Sequence, residues 1–287
     1  MPEQNTVAVV TGASRGAGRG IAIALGSHGC TVYVTGRTER SGDAPLPGTI
    51  YETAEAVSAA GGKGIPVRVD HGDFEQIKAL FERVNEEQGR LDILVNNAFA
   101  AHDQMTMPGP FWEKSLDLVN MLDAGLLGSY AAAYYAAPMM VSQGRGLVVF
   151  TSASGATHYA FGPAYGAHKA GLDKYASDMA VDFRDYNVAS VSIWMGAVMT
   201  ERMKLMAEAD PERFAAIEPL TETPCFTGHI IWALFNDPDL MDISGQTVIG
   251  AEMAEKYGIE DEGGRQPKSY RELHGVAPFT QYARIIR

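Results

Sequence analysis

The residues best suited to chemistry are a tyrosine and a lysine four positions apart, Tyr165 and Lys169, with Ser152 thirteen residues upstream. If residues 165–169 are helical, the phenol and the ammonium lie on one face, one turn apart. A free tyrosine has a pKa of about 10, and a nearby ammonium favours the phenolate and so lowers that pKa. Ser152 can hold a carbonyl or alcohol oxygen beside the phenol. The three residues predict a proton-transfer site that needs a redox partner.

The start of the chain predicts where that partner binds. Residues 7–11 are a short apolar run, typical of a buried parallel strand, and they lead into TGASRGAG and then an apolar helix pattern. Glycines at 12, 16 and 18 permit a tight turn and bring backbone N–H groups close to a phosphate at the helix start. The absence of a following GK[ST] argues against a P-loop. A purely structural glycine turn is the alternative.

An arginine at the end of the second strand predicts the type of dinucleotide. Residues 31–35 read as that strand, and Gly36 and Arg37 follow, with no acidic residue at the tip. In dinucleotide folds an acid here selects a free ribose 2′-hydroxyl, whereas an arginine suits a 2′-phosphate. Arg15 in the glycine turn can join Arg37, although both arginines can also simply be solvated. The pair favours NADP over NAD.

Strand patterns alternate with helix patterns along the chain. The predicted strands are 7–11, 31–35, 61–70, 91–98, 144–152, 187–194 and 245–250, and the main helices after the first are 49–60, 74–88, 112–141, 163–186 and 226–236. This order predicts an α/β fold with a doubly wound Rossmann-type parallel sheet of about seven strands and helices on both faces. Right-handed crossovers place the glycine turn, Asn97, Ser152 and the end of the sixth strand along one crevice. Asn97 is expected to tie neighbouring loops together through its amide.

The domain organisation is expected to be simple. Residues 1–250 form one Rossmann-type domain, which includes a substrate lid at about 196–225, and residues 251–287 form a polar, irregular extension packed on or near it. Met199, Met203 and Met206 have helical spacing within the lid segment. They indicate either an ordinary amphipathic helix or an adaptable cover over an apolar substrate. His102, in the loop 99–110, is expected to be solvated rather than to face a substrate.

Composition excludes several classes of protein. The net charge of -12 argues against nucleic acid and anionic membrane as partners. The two cysteines are far apart and belong to no Cys/His cluster, so no metal site is expected. No apolar run approaches the roughly 20 residues that span a bilayer, and the N-terminus lacks the pattern of a signal peptide. We expect a cytoplasmic protein.

These residues, in this order, resemble the short-chain dehydrogenase/reductase family over roughly residues 6–250. The likeness rests on TGASRGAG, Asp70, NNA, Ser152, the pair Tyr165 and Lys169, and residues 198–200. Within the family, NNAFA, the glycine in DAGLLG, YGAHKAG and GQTVIGAEMAEKYGI resemble the branch of dehydrogenase/reductase member 1.

The resemblance implies a role for each matched residue. Ser152 would orient the substrate oxygen, Tyr165 would be the acid in reduction and the base in oxidation, and Lys169 would hold the nicotinamide ribose and lower the tyrosine pKa. The cofactor-binding set comprises Gly12, Gly16 and Gly18 at the pyrophosphate, Ser14, Arg15 and Arg37 at the adenosine phosphates, Asp70 at the adenine, Asn97 and Ala98 at the ribose, and Val198 and Thr200 near the carboxamide, together with Tyr165 and Lys169. Copies of the chain would pair into a homodimer or homotetramer through the long Ala/Tyr-rich helix and the helix of Tyr165.

Three positions depart from the family pattern. Phe99 replaces the glycine of NNAG, Met195 replaces the proline after the sixth strand, and Gly125 replaces the fourth catalytic residue, an asparagine. In relatives the main-chain carbonyl at that last position is thought to bind a relay water leading to the lysine. A glycine within a helix can mark a kink, so we expect Gly125 to leave its carbonyl free for the same water.

The leading interpretation is an NADP(H)-dependent oxidoreductase that moves hydride between nicotinamide and a small carbonyl or alcohol substrate of apolar character. One alternative is a redox-inactive nucleotide-binding sensor or scaffold, which the missing asparagine favours and the intact Ser152, Tyr165 and Lys169 oppose. A lyase or dehalogenase on the same fold ranks last, because such relatives replace the lysine and lose the phosphate-binding glycines.

Overall fold

The central element is a seven-stranded parallel sheet with the strand order β3-β2-β1-β4-β5-β6-β9. The computed structural model describes residues 6–215, 217–282 and 284–286, so residues 1–5, used above in the expectation about the N-terminus, lie outside it. The sheet strands are β1 Val7–Val10, β2 Thr31–Gly36, β3 Lys63–Arg68, β4 Ile93–Asn96, β5 Gly146–Ser152, β6 Val188–Trp194 and β9 Thr247–Ile249. The predicted doubly wound parallel sheet is confirmed.

Helices connect the strands and cover both faces of the sheet. They are α1 Gly16–Ser27, α2 Ile50–Ala59, α3 Phe74–Gln88, α4 Asn120–Leu122, α5 Gly128–Gln143, α6 Pro163–Phe183, α7 Glu201–Ala209, α8 Pro211–Ala215, α9 Phe226–Asn236, α10 Leu240–Ile243, α11 Gly250–Tyr257 and α12 Tyr270–His274. Side chains alternate between the faces of a strand, so each buried strand feeds two cores. In β1, Ala8 and Val10 join the core of α1, α2 and α9, whereas Val7 and Val9 join the core of α3, α5 and α6.

The predicted helix over residues 112–141 is wrong in its first part. Phe111–Glu113 and Leu116–Val119 are separate 3₁₀ turns, and the α-helix begins only at Asn120. The Ser115 side chain accepts from the backbone N–H of Asp117 and so starts the second turn separately. Pro138 does not break α5, because it lies on the exposed side, where water can hydrate the carbonyl that it leaves unbonded.

The expectation of an irregular tail after residue 250 is wrong for two segments. Helix α11 ends at Gly258, whose φ of +66° gives the left-handed conformation typical of a helix C-terminus. Helix α12 begins with a reciprocal capping box between Ser269 and Glu272. An ion pair of 2.9 Å between Arg271 and Glu252 joins these two helices of the extension.

The predicted lid segment has a small sheet of its own. Strand β7, Ala197–Val198, pairs in parallel with β8, Thr221–Glu222, and α7 and α8 lie between them in sequence. The pairing brings the two ends of the lid segment side by side. None of the residues of α7 is fully buried, as expected for a cover that packs loosely on the body.

Candidate active site

The turn between β1 and α1 leaves no room for side chains at its glycines. Gly12 and Gly16 have φ values of +64° and +60°. A Cβ on Gly12 would lie 2.7 Å from the Ala98 Cα, and a Cβ on Gly18 would overlap the Asn97 amide and lie 2.5 Å from the Gly12 carbonyl oxygen. The turn therefore requires glycine, and its N–H groups form a cradle at the start of α1 of the kind that fits a pyrophosphate.

An acidic side chain occupies the start of α1. The backbone N–H of Gly16 donates to the Glu201 carboxylate at 2.8 Å. Thr200 caps α7 through the N–H of Met203, and its methyl carbon would lie 3.3 Å from a Cβ on Gly16. A carboxylate at a helix N-terminus is an anion in the position suited to a phosphate. The contact thus brings Thr200 to the cradle and identifies Glu201, which no sequence signal had singled out.

Removing the charge of Glu201 is expected to tighten cofactor binding. In Glu201→Gln the carboxylate no longer competes with phosphate oxygens for the Gly16 N–H, and a charge at a helix terminus is worth about 0.3–1 kcal/mol. We expect the Kd for NADPH to fall roughly two- to fivefold, measured by fluorescence titration. Glu208→Gln removes the same charge from the exposed end of α7 and should change nothing. Weaker binding by Glu201→Gln would show that the carboxylate supports the site.

The opposite end of the cradle carries two arginines. Arg15 donates to the carbonyls of Pro47 and Gly48 and to the Thr38 hydroxyl. Burial lowers the pKa of Arg15, Glu201 opposes this shift, and the neighbouring Arg37 adds to it. The Arg37 side chain is 65% exposed and lies 3.6 Å from the Asp70 carboxylate. The predicted residues Arg15, Arg37 and Asp70 are therefore brought together with the two cations within electrostatic reach of each other.

The predicted tie at the end of β4 is confirmed. The Asn97 amide donates to the carbonyls of Thr11 and Gly12 at 2.8 and 3.2 Å. The backbone N–H groups of Asn97 and Ala98 both donate to the Thr11 hydroxyl, at 2.8 and 2.9 Å. These bonds fix the ends of β1 and β4 side by side, and Ser14, also assigned to the cofactor, is buried in the same turn.

The proton-transfer residues meet at the carboxyl end of β5. Tyr165 and Lys169 lie one turn apart on α6, and the Lys169 Nζ is 5.7 Å from the Tyr165 ring centroid. Lys169 donates to the Thr151 carbonyl at 3.0 Å. The Ser152 hydroxyl is fully buried and donates to the Lys169 carbonyl at 3.2 Å, so it must give up this bond to donate to a substrate oxygen.

Burial dominates the titration of both groups. It raises the pKa of Tyr165 above its usual value, with a further contribution from Tyr270. It lowers the pKa of Lys169 to about 8, and the Asp173 carboxylate opposes that shift. Burial therefore outweighs any lowering of the tyrosine pKa by Lys169. At neutral pH the phenol is protonated, which is the form required of an acid.

Asp173 supports this pair and was not predicted. Its carboxylate accepts from the Ser192 hydroxyl at 2.6 Å and from the Trp194 indole at 2.9 Å. It is buried on α6 one turn beyond Lys169, so it supplies negative charge close to a buried ammonium. The spacing of four residues after Lys169 is a sequence signal that would have identified it.

Gly125 lies in a distorted part of the long helix. Residues Asp123–Leu127 form a π-helical segment between α4 and α5, which agrees with the predicted kink. The Gly125 carbonyl, however, is not free, because the Ser129 hydroxyl donates to it at 2.5 Å. The hypothesis that this carbonyl is left unbonded by the kink is wrong.

Two segments cover the site. Arg202 of α7 forms an ion pair of 2.8 Å with Asp103, which connects the lid to the loop after β4. In that loop His102 accepts from the backbone N–H of Gln104, so it caps a 3₁₀ turn. Tyr270, in the C-terminal extension, lies close to both Ser154 and Tyr165. Its interaction with Ser154 lowers its own pKa, and its phenol raises the pKa of Tyr165. No sequence pattern had connected Tyr270 to the site.

The buried carboxyl group of Glu222, at the base of the lid, is expected to make the stability of the fold depend on pH. It is buried, and burial raises its pKa to about 7, with the Gly196 N–H and Thr227 hydroxyl opposing. The pKa of Glu222 is higher in the folded chain than in the unfolded chain. Its protonated form therefore contributes its full stability below about pH 4.5, and this contribution is lost as the pH rises through about 7. Between pH 5 and 8, the Tm of the wild type should fall several degrees relative to that of Glu222→Gln. The exposed Glu218→Gln is the control, and parallel curves for the wild type and Glu222→Gln would contradict the assignment.

Comparison with known proteins identifies the family. A family model described as short chain dehydrogenase matches residues 6–211, which include the glycine turn, Ser152, Tyr165 and Lys169. The chain belongs to the short-chain dehydrogenase/reductase family.

Comparison with individual relatives indicates a branch within the family. This short-chain dehydrogenase/reductase is 39% identical over 283 residues to dehydrogenase/reductase SDR family member 1 of Mus musculus, and the match covers 95% of this chain and 88% of that protein. Identity to the Homo sapiens protein is 38%, covering 96% and 89%. Hydroxysteroid dehydrogenase-like protein 2 of Danio rerio is 30% identical, and the match covers 88% of this chain and 58% of that protein. The predicted resemblance to the member 1 branch is confirmed.

Solved structures share the fold. A putative dehydrogenase from Xanthomonas campestris has a TM-score of 0.77 at 23% identity, covering 91% of this chain and 93% of that chain. A short chain dehydrogenase from Mycobacterium thermoresistibile has a TM-score of 0.75 at 24% identity, covering 92% of each. Family membership makes this short-chain dehydrogenase/reductase an oxidoreductase that uses a nicotinamide cofactor. Within the described ranges, no helix is long and apolar enough to cross a membrane.

Proposed function

We propose that this protein is an NADP(H)-dependent oxidoreductase that transfers hydride between nicotinamide and a carbonyl or alcohol substrate. The observation that supports this most is the continuity between the two halves of the site. Ala98 packs on the Gly12 turn, and the next residue, Phe99, has its ring 5.4 Å from the Lys169 Nζ. A dinucleotide held on the glycine cradle would therefore extend towards Tyr165 and Lys169, with Val198 and Thr200 at the other side.

The chain's own residues account for the proton. When bound, the nicotinamide supplies hydride to a carbonyl carbon, or accepts it from an alcohol carbon. Tyr165 donates its phenolic proton to the carbonyl oxygen in reduction and recovers it in oxidation. The neighbouring Lys169 ammonium stabilises the phenolate that remains. Ser152 would hold the same oxygen once its hydroxyl turns away from the Lys169 carbonyl.

The preference for NADP rests on two neighbouring cations, Arg15 and Arg37. Hydrogen bonds to Pro47 and Gly48 fix Arg15, and its pKa is lowered by burial and further by repulsion from Arg37. A 2′-phosphate between the guanidinium groups would relieve that repulsion and accept charge-assisted hydrogen bonds. Asp70, 3.6 Å from Arg37, would then border the adenine.

The substrate side of Tyr165 is aromatic and apolar. The Phe161 ring centroid lies 5.1 Å from that of Tyr165, and Phe99 lies on another side at 6.2 Å. Met203 and Met206 of α7, in the segment predicted as the lid, are partly exposed. We infer a carbonyl or alcohol substrate with an apolar body, held under an adaptable cover.

Self-association is part of the proposal. Tyr130 and Tyr134 on α5 are 51% and 64% exposed, and Leu127 beside them is 46% exposed. An apolar helix face of this kind is suited to an isologous contact with a second copy. Light scattering after size-exclusion chromatography should give a dimer or tetramer, whereas a monomer would contradict this part.

A thermal-shift experiment followed by a carbonyl panel tests the proposed function. NADPH should raise the Tm more than NADH at the same concentration, because the tighter ligand stabilises more by mass action. NADPH should then be oxidised with at least one ketone, aldehyde or vicinal diketone. Binding without oxidation across the whole panel would instead support a nucleotide-binding sensor.

A further inference from the structure

Two departures from the family pattern meet on one unassigned residue, His168. Its ring centroid lies 5.2 Å from that of Phe99, which replaces the family glycine. On the other side, a Cβ on Gly125 would overlap the His168 Nε2 and lie 2.8 Å from its Cδ2. The imidazole therefore occupies the space that a side chain at 125 would enter, so one of the two must move if position 125 carries a side chain.

His168 is buried, and its ring nitrogens lack a close hydrogen-bond partner. It is 1% exposed, and within the described part of the chain neither ring nitrogen meets the geometry of a hydrogen bond, although the Gly125 backbone acts on the ring as an acceptor. An unpaired buried polar group is costly, and an apolar side chain of similar size would avoid that cost. An ordered water bonded to the ring would also remove it.

The surroundings of His168 set its charge. Burial lowers its pKa to about 3, the Lys169 ammonium adds to that shift, and the Gly125 backbone opposes it. Lys169 in turn faces Asp173, while Tyr165 lies one turn before His168 on the same helix. The ring is therefore neutral, with one nitrogen that donates and one that accepts.

We propose that His168 is a positioning residue that holds an ordered water behind Lys169, beside the glycine at position 125. This rests on the proposed oxidoreductase function. In reduction, Tyr165 gives its proton to the carbonyl oxygen, the Lys169 ammonium restores the phenol, and the water restores the ammonium by taking a proton from solvent. The imidazole stays neutral throughout and only fixes the water, accepting from it at one nitrogen or donating to it at the other.

Paired substitutions separate this role from a structural one. His168→Leu removes both ring nitrogens, whereas His168→Gln keeps a donor and an acceptor. We expect His168→Leu to keep its affinity for NADPH and a Tm at or above that of the wild type. Its turnover should fall about tenfold, with a changed pH profile and a larger solvent isotope effect, because proton resupply becomes limiting. His168→Gln should retain turnover within about threefold.

A remote histidine provides the control. His229 on α9 pairs with His28 at the far end of α1, so His229→Leu makes the same chemical change away from the site and should keep wild-type turnover. Wild-type turnover and an unchanged pH profile in His168→Leu would overturn the proposal. So would a fall of equal size in His168→Gln.

Substitutions at both positions test this close approach directly. Gly125→Asn alone should lower both Tm and turnover, because the new side chain meets the imidazole. Gly125→Asn combined with His168→Ser should recover the Tm but not the turnover, because the ring that holds the water is gone. If the double variant regains wild-type turnover, or if the single variant is as stable as the double variant, the proposal is wrong.

A readout without substrate separates this proposal from the function on which it rests. A high-resolution crystal structure with NADP⁺ should contain an ordered water within hydrogen-bond distance of a His168 ring nitrogen. Unpaired nitrogens in that complex would overturn the role of His168. Absence of carbonyl reduction by the wild type would instead overturn the proposed function.

Discussion

Tyr165→Phe is expected to reduce turnover of any carbonyl substrate by about 10²–10⁴-fold while the Kd for NADPH stays nearly unchanged. Phenylalanine keeps the ring that packs against Phe99 and Phe161, so the site retains its shape. It removes the hydroxyl that donates the proton, and burial keeps that hydroxyl protonated in the wild type. The measurement is NADPH oxidation at saturating cofactor, together with a fluorescence titration of NADPH.

Two other tyrosines sharpen this test. Tyr175→Phe removes a hydroxyl from the same helix, away from the chemistry, and should be neutral. Tyr270→Phe removes the second phenol near the site, and we expect less than a tenfold loss, because its hydroxyl bonds to Ser154. If Tyr270→Phe abolishes turnover and Tyr165→Phe does not, the two phenols have the opposite roles.

Arg37→Ala is expected to weaken NADPH binding by about 10- to 100-fold while NADH binding changes less than about twofold. A hydrogen bond to a charged group contributes about 1.5–3 kcal/mol, and the 2′-phosphate is the group that distinguishes the two cofactors. Arg37 is the cleaner target of the pair, because Arg15 also holds the loop at Pro47 and Gly48. Calorimetric titration of both cofactors measures the effect.

A neighbouring arginine controls for general electrostatics. Arg40→Ala removes the same charge from an exposed position in the same loop and should change neither affinity by more than about twofold. An equal loss of NADPH and NADH affinity in Arg37→Ala would contradict a 2′-phosphate contact. Tighter binding of NADH than NADPH by the wild type would contradict the cofactor preference itself.

The sheet was predictable because most of its strands, the edge strand β3 excepted, are buried on both faces. VAVV is apolar without interruption, TVYVTG is rich in β-branched residues, and α3 and α9 were predicted at their observed bounds. The start of the long helix was not, since the Ser115 turn competes locally with the helical pattern. The two C-terminal helices are short and polar, and α12 is defined by its capping box rather than by hydrophobic periodicity.

The candidate site was predictable where function depends on backbone conformation and spacing along one helix. The glycine turn and the pair Tyr165 and Lys169 are of this kind. Contacts between distant segments have no local signal, and for that reason Glu201 on Gly16, 185 positions apart, was missed. The close approach of His168 to position 125 also depends on packing between two helices, which no single stretch of sequence encodes.

Hydride transfer from NADPH that carries deuterium at both C4 positions tests the central claim most directly. The wild type is incubated with the labelled cofactor and the carbonyl that it turns over in the panel, and the alcohol is analysed by mass spectrometry and NMR. We predict one deuterium on the former carbonyl carbon, with the hydroxyl proton drawn from solvent, and no such product from Tyr165→Phe on the same timescale. An unlabelled alcohol, or no alcohol with any carbonyl while NADPH remains bound, would contradict it.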